Sequence, residues 1–185
     1  MNVATTAIPG VLIIEPRVLG DSRGFFTELF EQERYAASGI AGPFVQDNFS
    51  RSSQGVLRGL HLQHPKPQGK LVSVLHGRVR DATVDVRVGS PTFGRHVVVE
   101  LDDENRRQLW VPRGFAHGFV VLSEFADLLY KCDDFYCPST EIVLRWDDPA
   151  LAIPWDCGAP RISARDSQGR TLAELERQLP RYAEA

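Results

Sequence analysis

The 185-residue chain is poor in sulfur, with three Cys and one Met. Cys132, Cys137 and Cys157 are odd in number and lack metal-finger spacing, which excludes a disulfide framework and suits a reducing cytosol. Basic runs are missing as well. Lys and Arg number 21 against 24 Asp and Glu, for a net charge of −3. Without a basic stripe there is no electrostatic footprint for nucleic acid or a membrane surface, so an anionic ligand has to be held by a few placed cations. The opening MNVATTAIPGVLIIEP is broken by Pro9, Gly10 and Pro16 and carries no basic residue ahead of its apolar part, unlike a secretory signal or a membrane span. No solenoid-period repeat or low-complexity linker divides the chain, so a single domain over residues 1–185 is expected, in the cytoplasm. With 43% hydrophobic and 24% charged residues, that domain can bury a sizeable core.

What the chain does contain is a series of short β-rich runs separated by turn residues from Val56 to Leu129. Expected strands are VLIIE, VLRGLHLQ, KLVSVLH, RVRDATVDVRV, RHVVVEL, RQLWVP, GFVVLS and ADLLYKC. HPKPQG, HGR, GSPTFG, DDEN and PRGFAHG punctuate them. This is the pattern of a sandwich or barrel, and a jelly roll is a standard closure for about eight such strands. Helix signals lie on the flanks. Residues 28–38 are rich in helix formers and stop at Gly39, and TLAELERQL spaces Leu172, Leu175 and Leu179 along one face. Trp110, Trp146 and Trp155 read as core or interface anchors.

Reactive side chains concentrate in LRGLHLQHPKPQGK, PRGFAHG and LLYKCDDFY. Strict strand alternation sends Arg58 and His61 to opposite faces, whereas a bulge at Gly59 would bring both into one cavity. The motif PRGFAHG resembles the second half of a cupin metal motif, ending in His117. The first half needs two histidines at alternate strand positions, but His61 and His64 are three apart and His64 lies in a Pro-rich loop. The metal set is incomplete, so no metal is expected. A metal-free pocket with His, Lys and Tyr can abstract a proton next to a carbonyl, given a base, a cation at the enolate oxygen and a proton donor. His61, Lys70 and Tyr130 can fill those posts, and Asp81, Asp85 and Asp166 are candidates for the carboxylate behind the base. On RVRDATVDVRV, alternation groups Val79, Asp81, Thr83 and Asp85 on one face, which could meet solvent or the pocket mouth.

The blocks DSRGFFTE, VQDNFSRSSQGVLRGLHLQ, QGKLVSVLHGRV, VDVRVGSPTFG, RQLWVPRGFAHGF, LLYKCDDFY and RWDDPALAIPW resemble the dTDP-4-dehydrorhamnose 3,5-epimerase family, in order from Pro9 to Asp166. The resemblance implies an all-β, cupin-type jelly roll with short flanking helices. It implies a cofactor-independent homodimer with strands shared between subunits, acting on a 6-deoxy-4-ketohexose carried on dTDP toward dTDP-L-rhamnose for surface polysaccharide. Position by position, it implies that His61 is the base, Asp166 its carboxylate, Tyr130 the opposite-face proton donor and Lys70 the cation at the keto oxygen. It further implies ligand binding by Arg23, Glu28, Gln46, Asn48, Arg58, His117, Glu141 and Arg165, with Tyr136 stacked on the thymine.

Three positions depart from the common pattern of that family: Phe49 in DNFS, Leu62 in GLHLQ, and Arg165 where many members have Lys. Arg165 keeps the charge, but its planar fork is not interchangeable with an ammonium. Competing readings are an epimerase that inverts a single carbon, a non-catalytic sugar-nucleotide-binding cupin, and a metal-dependent cupin oxygenase or isomerase. The first would use the same base, cation and acid; the second needs none of them together.

Overall fold

Apolar residues alternating with polar ones sort most of the chain into two facing antiparallel sheets. The computed structural model describes residues 1–40 and 42–182. The first sheet contains β1 (Asn2–Thr5), β2 (Leu12–Glu15), β5 (Gln46–Ser53), β7 (Lys70–His76), β10 (Gln108–Val111) and β12 (Phe125–Cys132), in the order β1-β2-β10-β7-β12-β5. The second contains β6 (Leu57–Gln63), β8 (Arg78–Asp85), β9 (His96–Asp102), β11 (Phe115–Val121) and β13 (Glu141–Val143), in the order β13-β6-β11-β8-β9. A separate hairpin pairs β3 (Val18–Asp21) with β4 (Gly24–Thr27). Two sheets with neighbours distant in sequence make the jelly roll expected of the chain.

Three apolar clusters explain why the strand sequences are so continuously hydrophobic. Between the sheets, Val72, Val74, Leu109, Val111 and Leu128 meet Val79, Val99, Leu101, Phe115, Phe119 and Val121. On the outer face of the second sheet, Leu57, Leu62, Val84, Ala116 and Val120 are covered by Leu144, Leu151, Trp155, Leu172, Leu175 and Leu179 from the C-terminal part of the chain. On the outer face of the first, Ile14, Leu71 and Trp110 pack under Tyr35 and Ile40. Each fully buried large aliphatic contributes about 1.5–3 kcal/mol relative to exposure, so both sheets are held from two sides.

The flanking helices are shorter than expected. The first, α1 (Gln32–Ala37), starts after Glu31 because the Glu31 carboxylate accepts from the N–H groups of Glu33 and Arg34 at 2.9 and 2.8 Å. The second, α2 (Leu172–Leu175), is opened by a capping box between Thr171 and Glu174 and tightens into a 3₁₀ turn. Among the strands, β1, β5, β13 and the β3–β4 hairpin fall outside the expected runs, and QDNFSRSS is too polar for an ordinary buried strand. The alternation on β8 resolves inward. Asp81, Thr83 and Asp85 are all fully buried, which overturns the solvent alternative for that face. Asp85 is bonded to Arg87, Ser90 and Thr92, and so closes the turn after β8 rather than joining a pocket.

Candidate active site

A one-residue slip in β6 creates the site. Against β11, Phe119 pairs with Arg58 but His117 pairs with His61, so β6 carries an extra residue opposite Gly118. Gly59, inside this bulge, has φ of +108°, and a Cβ there would lie 2.7 Å from the His117 carbonyl oxygen and 2.8 Å from the Gly118 Cα. Only glycine fits. The slip turns Arg58 and His61 onto one cavity of about 290 Å³.

Strands β5, β6, β7, β11 and β12 line that cavity. Strand β5 supplies Gln46, Asn48 and Ser50 from one face of its polar sequence, and β6 supplies Arg58, His61, Leu62 and Gln63. Lys70 and Tyr130 enter from β7 and β12, and His117 and Phe119 from β11. Gln68, Tyr136, Glu141 and Arg165 complete the rim. Phe119, Leu62, Ser50, Gln63 and Gln68 were not singled out as site residues from the sequence. Reading QDNFSRSS as a one-sided polar strand would have pointed to Ser50, since it shares a face with Gln46 and Asn48.

His61 and Asp166 form a close polar pair in the wall, with Nε2 2.7 Å from Oδ1. Asp166 sits at the start of a 3₁₀ turn and is 3% exposed. Burial works to raise its carboxyl, but hydrogen bonds from His61, from the Ser163 region and from the Gly59 N–H outweigh this, holding it below the usual carboxylate range. With Nε2 engaged, Nδ1 of His61 makes no hydrogen bond among the described residues. A second pair lies alongside: His117 Nε2 is 2.9 and 2.8 Å from the two Asp81 oxygens.

The remaining groups differ in how burial treats them. Desolvation pushes the Lys70 ammonium down from its ordinary value, against the opposing influence of Cys132, Glu141 and Asp81. Desolvation, then Cys132, pushes the Tyr130 phenol up, so it remains a proton-bearing group at neutral pH. Arg58 donates through Nε to Ser52 Oγ at 2.9 Å. At the rim, Arg165 Nη1 is 2.5 Å from Glu141 Oε2, and the Tyr136 hydroxyl donates to the same oxygen at 3.1 Å.

Two expected ligand-binding residues lie elsewhere in the chain. Arg23 is in the exposed β3–β4 turn, paired with Asp21 at 2.6 Å, and Glu28 pairs with Arg34. His61 and His117 are each committed to an aspartate, and the described residues hold no group of three or more His, Cys, Asp or Glu side chains placed for an ion. No described helix is long and apolar enough to cross a membrane.

Residues 5–174 match the family model described as dTDP-4-dehydrorhamnose 3,5-epimerase. A curated protein of that description from Pseudomonas aeruginosa is 52% identical over 178 residues, covering 95% of this chain and 98% of the relative. The crystal structure of a dTDP-6-deoxy-D-glucose-3,5-epimerase from Legionella pneumophila, in complex with dTDP-4-keto-L-rhamnose, superposes with a TM-score of 0.96 at 53% identity and covers 98% of each chain. A 4-keto-6-deoxy sugar epimerase from the novobiocin gene cluster of Streptomyces spheroides also has a TM-score of 0.96, at 39% identity, covering 100% of this chain and 94% of its own. With such matches along nearly its whole length, and a cavity where an aspartate-backed histidine faces the same space as a half-buried lysine and a tyrosine, the chain belongs to the dTDP-4-dehydrorhamnose 3,5-epimerase family.

Proposed function

We propose that the protein converts dTDP-4-dehydro-6-deoxy-D-glucose into dTDP-4-dehydro-L-rhamnose by side-chain acid–base chemistry alone. The observation that carries this reading is the His61–Asp166 pair, at 2.7 Å, in a cavity wall shared with Tyr130 and Lys70. His61 Nδ1 takes the proton from a carbon beside the keto group, and the C–H electron pair moves into the carbonyl to form an enolate. Asp166 stabilises the imidazolium that results. Lys70 donates to the developing oxygen; Glu141 and Asp81 favour its charged form against burial. Tyr130 delivers its proton to the opposite face, the carbonyl re-forms, and the carbon is inverted. The same sequence repeats at the second carbon flanking the ketone, with both residues reset by proton exchange with solvent.

Tyr136 stacks on the thymine, while Gln46, Asn48, Arg58, His117, Glu141 and Arg165 hold the nucleotide and sugar. Arg23 and Glu28 serve the cavity of a second copy. Supporting this, the hairpin that bears Arg23 exposes Leu19, Phe25 and Phe26 at 49%, 55% and 67%, an apolar surface that a homodimer would cover. In this reading residues 1–185 are one catalytic domain, and the free thiols suit the cytoplasm.

Proton NMR with dTDP-4-dehydro-6-deoxy-D-glucose in deuterated water tests the reading. Deuterium entering both flanking carbons, with appearance of the L-lyxo sugar, is the expected result. Inversion at one carbon would make the protein a monoepimerase, and no exchange at either would leave a sugar-nucleotide-binding module.

A further inference from the structure

Tyr136 is nearly half exposed, in a loop with no regular secondary structure, yet its backbone is tightly tied. The residues on either side of it are both bonded to a single side chain. Gln63 Nε2 donates to the Phe135 carbonyl at 3.3 Å, and Gln63 Oε1 accepts from the Cys137 N–H at 2.7 Å. The second amide hydrogen is used on the Lys66 carbonyl at 2.9 Å. Gln63 is 5% exposed and lies two positions beyond His61 on β6. A buried primary amide with three bonds made to three backbone groups has little freedom to rotate.

We infer that Gln63 is a positioning residue: its amide straddles Tyr136 and fixes the aromatic ring at the cavity rim relative to the strand that carries His61. A backbone amide ladder could not do this, because residues 133–137 form no strand with β6. The side chain reaches across and supplies the missing donor and acceptor. Gln46 adds a third tie, its Oε1 accepting from the Tyr136 N–H at 2.9 Å. The consequence is a division of labour within β6, where His61 addresses the sugar and Gln63 sets where the nucleotide base rests. This rests on the proposed stacking of Tyr136 on the thymine.

A double-mutant cycle on the full chain, read by calorimetric titration with dTDP and by kcat and KM, tests the inference. Gln63→Ala is expected to weaken dTDP binding about tenfold, within the range of coupling between contacting residues. It should raise KM correspondingly and leave kcat within about twofold, since positioning of the base acts on binding. In a Tyr136→Ala background the same change should cost almost nothing more. If Gln63→Ala does not fold, Gln63→Glu replaces it in the cycle; it keeps the acceptor for Cys137 and removes both donors. Additive losses in the cycle, or a fall in kcat with unchanged dTDP affinity, would overturn the role of Gln63 while leaving stacking intact. Unchanged dTDP affinity in Tyr136→Ala alone would overturn the stacking reading, and the role of Gln63 with it.

Discussion

The cavity wall contains two His–Asp pairs whose histidines are direct register partners across β6 and β11. Their aspartates come from different kinds of structure. Asp81 lies on β8, the strand next to β11, is fully buried, and meets His117 with both oxygens. Asp166 arrives from a turn more than a hundred residues along the chain and meets His61 with one oxygen. Its His61 side chain is 19% exposed, against 8% for His117. The same two residue types therefore make a pair with a fully buried carboxylate and a mostly buried imidazole, and a pair whose imidazole is more open to the shared cavity. The two pairs differ in exposure of the imidazole and in the origin of its carboxylate, not in residue identity.

Replacing each histidine in turn breaks this comparison most sharply. His61→Ala is expected to lower deuterium exchange at both sugar carbons by about 10²- to 10⁴-fold, the usual loss for a positioned general base, with a stability cost of about 1 kcal/mol. His117→Ala should reverse the order. Among the described residues, Asp81 has no other hydrogen-bond donor, so its carboxylate is stranded and unfolding by denaturant should show a loss of about 3–5 kcal/mol. Equal stability losses in the two variants would mean that the pairs are energetically alike.

Tyr130→Phe sharpens the proposed role of the outer pair. It keeps the ring and deletes only the hydroxyl, so His61-dependent exchange should persist while formation of the L-lyxo product slows by about 10²-fold. A base returning solvent hydrogen to the face it came from gives exchange without inversion. Exchange and inversion falling by one common factor would show that the opposite-face acid is another group.

The smallest effect concerns acid stability. The Asp166 carboxyl is held below its ordinary range, so the folded state binds fewer protons there than the unfolded chain. Its contribution is present above the ordinary carboxylate range and is lost as pH falls through the depressed native value. His61→Ala removes a main source of that depression. The gap in stability between the parent and this variant should therefore narrow as pH is lowered below about 4. A gap that stays constant from neutral to acid pH would show that His61 does not hold the carboxylate.

Much of this was legible in the amino-acid order because the signals are local. KLVSVLH reads as a strand and forms β7 over the same seven residues, Lys70–His76. The alternation in RVRDATVD sorted Asp81 and Asp85 from Val84 correctly, though it could not say that the polar face turns inward. Gly59 marked where a bulge would bring Arg58 and His61 together, and of the two alternatives this is the one the structure adopts. Local signals failed where polar residues line the cavity. QDNFSRSS forms the eight-residue strand β5 at a sheet edge, and its uncharged polar face lines the cavity.

By itself, then, the sequence determined the β-rich class, which residues of a strand share a face and, through its motifs, the family. These depend on residue spacing and on backbone sterics that act over a few positions. Residue spacing left Asp81, Asp85 and Asp166 all open as the carboxylate behind His61, with Asp166 named only through the resemblance, and the tertiary structure decided which carboxylate meets which histidine. Alternation places Asp81 on a face, but only sheet order sets β8 beside β11, and only the path of the C-terminal chain carries Asp166 to His61. It also decided that Gln63 spends its amide on the loop bearing Tyr136. Such pairings follow from how distant segments close over the barrel, and their free energies come from burial and hydrogen bonds that exist only once those segments have met.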